Sequence, residues 1–239
     1  PRAALLLLSS ATLLRKMALQ SATMPSPSDA KNVIKAMSSN AINHIIFTST
    51  VAVYGLKNTC PDEDYICEPF NHYGRSKLEA ENILIKWYNE NPKIRKLDII
   101  RPTVIFGEGN RGNIYNLIKQ ISNRKFLMIG NGKNKKSIAY VGNLVAFIKK
   151  LLNSSNIGFE IYNFTDKPDM SMKQMVIMIK KELGQNKSYF YIPKFIGLLF
   201  GGFFDILSKI FKIKNNISLI RIKKFCANTT ISSKKLNST

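Results

Sequence analysis

The sequence predicts an α/β fold built around a parallel sheet, and three observations carry that prediction. Short apolar runs of strand length recur at His44-Ile45-Ile46-Phe47-Thr48-Ser49, Leu97-Asp98-Ile99-Ile100 and Ile161-Tyr162-Asn163-Phe164. Segments with apolar residues at helical spacing separate them, the pattern of a sheet whose strands are joined by helices. Hydrophobic residues make up 45% of the 239, enough for a sizeable core.

In chain order, a helix is expected over 31–40, a strand over 44–49, an acidic loop at Asp62-Glu63-Asp64, a helix over 73–89 and a strand over 97–101. The next helix, over 112–123, sets Ile114, Leu117, Ile118 and Ile121 on one stripe. Its first turn holds Gly112-Asn113, where free backbone amides suit a ligand phosphate or sugar. Phe126-Leu127-Met128-Ile129-Gly130 reads as a strand and turn, a helix is expected over 143–152, and Ser171 is placed to cap another. Phe195 to Phe211 is the most apolar stretch of the later chain, yet it contains Asp205 and is short for a bilayer span. It reads either as a core helix or as an interfacial one, with Lys209, Lys212 and Lys214 at the headgroups.

The candidate chemistry lies in Asn71-His72-Tyr73-Gly74-Arg75-Ser76-Lys77. Tyr73 and Lys77 are four apart, so on a helix both project from one face. An ammonium close to a phenol favours the phenolate and lowers its pKa towards working pH, which suits a general base. Thr50 follows the strand at 44–49, where a hydroxyl can bridge a substrate and the tyrosine.

Composition narrows the partners. Thirty-six basic residues stand against fifteen acidic ones, a net of +21, which calls for a polyanionic partner or surface. The basic residues are scattered and no nucleic-acid motif accompanies them, so nucleic acid is not expected. Asp205 is the last acid, and beyond it come Lys209, Lys212, Lys214, Arg221, Lys223, Lys224, Lys234 and Lys235. Such a tail suits an anionic membrane surface or a diphosphate, and Arg221 is assigned with Asn113 to substrate binding. Cys60, Cys67 and Cys226 show neither a disulfide framework nor zinc-ligand spacing, so no metal and a reducing, cytoplasmic location are expected.

The order strand, Ser49-Thr50, Val53-Tyr54-Gly55, Tyr73-Gly74-Arg75-Ser76-Lys77, helix, and a strand ending in Arg101-Pro102 resembles the extended short-chain dehydrogenase/reductase family of sugar-nucleotide epimerases and dehydratases. The resemblance runs from about Lys31 onward. It implies a Rossmann-like sheet with a smaller C-terminal substrate lobe, and NAD as cofactor. It makes Tyr73 the base, has Lys77 hold the nicotinamide ribose, and gives Thr50 the reacting sugar hydroxyl, with Ser49 as runner-up. Arg101, Pro102 and Val104 would form the floor under the nicotinamide. The family's R-x-Y-x-x-V-x-D segment departs here to Ser137 and Asn143, which puts the usual nucleotide-diphosphate clamp in question.

The 239 residues contain no G-x-x-G-x-x-G turn for a pyrophosphate. Three parts are therefore expected: a foreign or leader segment over 1–28, the remaining half of the dinucleotide domain over 29–125, and the substrate lobe with its basic tail over 126–239. Phe70-Asn71-His72-Tyr73-Gly74, Arg111-Gly112-Asn113, Ala139-Tyr140-Val141-Gly142-Asn143, Phe204-Asp205-Ile206-Leu207-Ser208-Lys209 and Lys223-Lys224-Phe225-Cys226-Ala227 are similar to one bacterial subgroup of the family. That subgroup inverts carbon 4 of N-acetylglucosamine on undecaprenyl diphosphate, for O-antigen synthesis. The resemblance implies a polyprenyl-diphosphate-linked sugar as substrate and a peripheral place on the cytoplasmic face of the inner membrane, and it leaves a homodimer open. The alternatives are a soluble enzyme of the family acting on a nucleotide sugar, or an inactive fragment that only binds membrane.

Overall fold

The computed structural model describes residues 27–56, 60–186, 190–211 and 219–237. In chain order the elements are α1 (Pro27–Ser38), β1 (His44–Thr48), a 3-10 turn (Val51–Tyr54), α2 (His72–Glu90), β2 (Lys96–Pro102), β3 (Val104–Phe106), α3 (Asn113–Ser122), β4 (Met128–Ile129), β5 (Lys135–Tyr140), α4 (Val141–Asn153), β6 (Gly158–Phe164), β7 (Asp166–Ser171), α5 (Met172–Glu182), β8 (Tyr191–Ile192), α6 (Lys194–Phe211), α7 (Leu219–Cys226) and α8 (Lys234–Asn237). Of the segment expected as a leader, residues 1–26 lie outside the described residues, and Pro27 and Ser28 open α1. Lys212, Lys214 and the side chain of Lys209 also lie outside them.

The chain forms two compact units, and they do not divide at 125/126. The first comprises 1–112, 138–167 and 231–239, and the second 113–137 and 168–230. The sheet begun by β1 and β2 takes its third strand, β6, from 158–164. The chain must therefore return to the first unit after leaving it at residue 113.

In the first unit β1, β2 and β6 are parallel in the order β1-β2-β6, with Ile45 opposite Leu97 and Ile99 opposite Ile161. Every residue of β2 is buried, as a central strand covered on both faces requires. Alternation along it sends Leu97 and Ile99 to one face, against Met37 of α1 and Leu84 and Trp87 of α2. Ile100 goes to the other, against Leu144, Phe147, Ile148 and Leu151 of α4. Asp98 lies on that face as a buried charge, with His44 Nε2 at 2.9 Å and Lys96 Nζ at 3.7 Å from its Oδ2. A second sheet runs β3-β5-β7, with Val104 opposite Ile138.

The second unit is mainly helical, with a two-stranded parallel ribbon, β4 and β8. Ser171 caps α5 in a reciprocal box with Gln174, as the sequence signalled. Helices α6 and α7 pack together, and Asp205 Oδ2 accepts from Leu219 N at 2.9 Å, occupying one free amide at the start of α7. At the other end of α7 the Lys136 ammonium donates to Lys224 O (2.9 Å) and Ala227 O (2.7 Å), a favourable place for a cation. Among the described residues no helix is long and apolar enough to cross a membrane.

Candidate active site

The site in the first unit starts where β1 stops. Ser49 N donates to Ile100 O at 2.7 Å, which still ties the chain to the sheet. Thr50 is extended, and its Oγ1 accepts from Ala52 N at 3.2 Å, capping the 3-10 turn. Gly55 ends that turn at φ +80°, where a Cβ would stand 2.3 Å from Glu68 O. Asn71 then caps α2 by accepting from Gly74 N at 2.7 Å. A Cβ on Gly74 would lie 2.7 Å from Ala52 O and 2.9 Å from Pro69 Cβ, so this glycine lets α2 seat its first turn against the 3-10 turn.

That seating brings Tyr73 to Thr50, and the phenol and the threonine hydroxyl share a hydrogen bond. One turn further on, Lys77 is 7% exposed. Its Nζ donates to Thr48 O at 2.8 Å and lies 4.9 Å from the centre of the Phe47 ring. Ser49 Oγ is buried beside them without a hydrogen-bond partner among the described residues, an unusual state for a hydroxyl in a packed interior. Ser49, Thr50, Tyr73 and Lys77 thus converge at the carboxyl end of β1.

The electrostatics differ from expectation. Burial pushes the Tyr73 phenol up, with the Thr50 hydrogen bond opposing, and the expected lowering by Lys77 is not found. The ammonium is turned to the strand carbonyl instead. Lys77 is itself pushed down to about 8 by burial, with the Glu81 carboxylate opposing from the next turn. At neutral pH the lysine therefore keeps its charge.

Arg101, expected as part of the floor under a nicotinamide, is held by protein partners on several sides. Its Nε and Nη2 donate to the two oxygens of Glu81 at 3.1 and 2.6 Å, and its Nη1 to Tyr54 Oη at 2.8 Å and Glu63 O at 3.4 Å. Tyr54 Oη donates in turn to Asn163 Oδ1 at 2.8 Å. Burial raises Tyr54 to about 12, against the pull of Arg101. The guanidinium is consumed in tying α2 and the V-Y-G turn to the sheet. Glu81, fully buried, is the residue that sequence reasoning missed, and its spacing of four from Lys77 was the available signal. Pro102 ends β2 in the interior, and Val104 opens β3 half-buried.

The remaining candidates belong to the second unit. Asn113 opens α3 exposed, and Arg221 lies on the exposed side of α7, near enough to Lys224 to join burial in lowering that amine. Ser137 Oγ donates to Asp169 Oδ1 at 2.5 Å. In the first unit Asp166 accepts from Asn143 Nδ2 (3.0 Å) and Tyr140 N (2.6 Å), so a carboxylate still meets the N-terminus of α4, supplied from β7 instead of position 143.

Comparison with known proteins bears on the family and the fold. The model of the NAD dependent epimerase/dehydratase family matches residues 28–164. The chain is 52% identical over 208 residues to the N-acetyl-alpha-D-glucosaminyl-diphospho-ditrans,octacis-undecaprenol 4-epimerase of Escherichia coli O157:H7, covering 87% of this chain and 63% of that protein. It is 29% identical to the UDP-glucose 4-epimerase of Vibrio cholerae, covering 71% of this chain and 54% of the relative. The chain therefore spans between about half and two thirds of these relatives. Among solved structures, UDP-glucuronic acid 4-epimerase from Bacillus cereus in complex with NAD superposes with a TM-score of 0.60 at 22% identity, over 70% of this chain and 55% of that one. A dTDP-glucose 4,6-dehydratase from Bacillus anthracis in complex with NAD gives 0.62 at 16%, over 88% and 59%. These likenesses establish the Rossmann-like fold, and with the family match over more than half its length the chain belongs to the NAD dependent epimerase/dehydratase family.

Proposed function

We propose that these residues carry the reacting end of an NAD-dependent sugar 4-epimerase whose substrate is N-acetylglucosamine on a polyprenyl-diphosphate carrier. The observation that supports it most is the convergence of Tyr73, Thr50 and a buried, charged Lys77 at one strand end. The 52% identity to the undecaprenol-linked epimerase favours the lipid-linked substrate. A peripheral position on the cytoplasmic face of an anionic membrane follows from that substrate and the net charge of +21.

The residues present fit the nicotinamide end of the cofactor: a buried hydroxyl lacking a partner (Ser49), the Tyr73 phenol and the Lys77 ammonium all lie at the carboxyl end of β1. NAD, when bound, supplies the hydride acceptor and donor that inversion needs. The chain's own share is proton movement and positioning. Tyr73 Oη takes the proton of the sugar 4-hydroxyl and returns one afterwards. Thr50, already bonded to Tyr73, aligns that hydroxyl. Lys77, buried one turn further along α2 with its ammonium on Thr48 O, is assigned to the nicotinamide ribose. Asn113 and Arg221 are assigned to the sugar and its diphosphate.

The test is conversion of N-acetylglucosaminyl-diphospho-undecaprenol, by this chain alone and by the chain complemented with an epimerase strand-turn-helix that bears G-x-x-G-x-x-G. Complementation is expected to be required, because the 239 residues lack that turn. Tyr73→Phe should then cost about 10²–10⁴-fold in turnover. Near-normal turnover in that variant refutes the assignment of the base. Activity on UDP-N-acetylglucosamine with none on the lipid selects the soluble nucleotide-sugar enzyme, and inactivity of the complemented chain on both selects a fragment that only binds membrane.

A further inference from the structure

Helix α6 is seated on glycines. A Cβ on Gly197 would meet Ile129 Cγ2 at 2.6 Å, and one on Gly201 would meet Ile222 Cδ1 at 2.8 Å and Leu219 Cα at 3.0 Å. Four residues apart, the two glycines mark the face that packs against β4 and α7. At about 100° per residue, Phe195, Leu199 and Phe203 lie on the opposite face, with Ile196 and Phe200 along its flank. All five are exposed, with Phe195 at 71%, Leu199 at 58% and Phe203 at 57%. Five large apolar side chains on one side of one helix form a contiguous patch, unlike singly scattered surface residues.

Charge indicates the occupant. The second unit carries 17 basic residues against 3 acidic ones, a net of +14 out of the +21 of the whole chain. Two of those acids are engaged, Asp169 by Ser137 Oγ and Asp205 at the start of α7. A second copy of this chain would bring like charge to like charge, whereas an anionic lipid surface answers both the grease and the charge.

We propose that α6 lies in the plane of an anionic bilayer, glycine face towards the protein and the Phe195, Leu199 and Phe203 face among the acyl chains. Its 18 residues, about 27 Å of helix, then run along the interface and not through the membrane. The surface deepens the lipid-linked reading of the function, but its test needs neither substrate nor cofactor, so failure of one does not entail failure of the other.

Co-sedimentation with vesicles of phosphatidylcholine containing phosphatidylglycerol should show binding that falls away on pure phosphatidylcholine and weakens as salt is raised. Phe195→Ser with Phe203→Ser should lower the partition coefficient by about tenfold or more. Leu199→Trp keeps the face apolar and reports directly. Its emission should shift to the blue on anionic vesicles and be quenched by acyl-brominated lipid, while Trp87, buried in the first unit, stays unchanged. No binding, equal binding to neutral vesicles, or an unquenched Trp at 199 overturns the proposal. So does a lipid-free dimer that dissociates in the double serine variant, which would put a second copy on the face.

Discussion

The two units depart from apolar-inside, polar-outside packing in opposite directions. In the first, charge is buried: Lys77, Glu81, Asp98 and Arg101 are each less than 10% exposed, and Arg101 holds the end of the 3-10 turn through Tyr54 Oη. In the second, apolar surface is exposed along α6, and most of the chain's net charge falls in the same unit's sequence. Both arrangements cost stability in isolation, so each marks a place where something besides folding is served. In the first unit the buried charges hold α2 so that Tyr73 and Lys77 meet the end of β1. In the second the exposed face awaits a partner.

The buried charge of the first unit is most vulnerable at Arg101. Leaving Glu81 buried without its partner should cost about 3–5 kcal/mol, so Arg101→Leu should unfold at a much lower urea concentration. Arg101→Leu with Glu81→Leu removes both charges and should recover much of that loss. Equal instability of single and double variants would mean that volume, not charge, sets the cost.

Close-packed glycines in both units set smaller effects. Gly74→Ala has to displace Ala52 O or Pro69 and should cost about 1–3 kcal/mol, as overpacking does, with Tyr73 displaced as a consequence. Gly197→Ala should behave similarly against Ile129, whereas Gly202, with open space at its Cβ, should gain about 0.5–1 kcal/mol as alanine. Phe203→Ser should change stability by no more than about 0.5 kcal/mol, since its ring is already mostly in solvent. A large loss there would return α6 to the core.

These contrasts also explain what was legible. Tyr73, Lys77 and Thr50 could be read because their relation is local, one helical turn and one strand end. The Glu81–Arg101 pair could not, because its members are 20 residues apart and neither residue type is distinctive alone. The phenol's upward shift was missed because spacing gives proximity but not which acceptor the ammonium faces, and here it is Thr48 O. For α6 the sequence left core and interface both open, since Phe and Leu occupy most of its circumference. Only the seating of Gly197 and Gly201 decides which side is inward. The return of 138–167 to the first sheet was hidden because strand pairing joins β2 to a segment some sixty residues later.

The smallest expected effect separates the units by pH. Lys77 in the first unit and Lys136 in the second are each pushed by burial from 10.5 to about 8. Below about 8 both folded and unfolded chains carry these charges, and the fold bears the cost of burying them. Between about 8 and 10.5 the unfolded chain holds protons that the folded one has released, so stability rises with pH, and the gain is complete above 10.5. Tyr54 works the other way: with its phenol raised from 10.0 to about 12, it contributes stability that is full below 10.0 and lost as pH rises through 12. Urea midpoints should therefore climb from pH 8 and turn over beyond 10. Lys77→Met should remove one part of the climb and Lys136→Met the other, independently, because the two amines titrate in separate units. If Lys77→Met leaves the slope intact while Lys136→Met abolishes it, the Lys77 ammonium is solvated in solution, and the buried charge attributed to the first unit is not there.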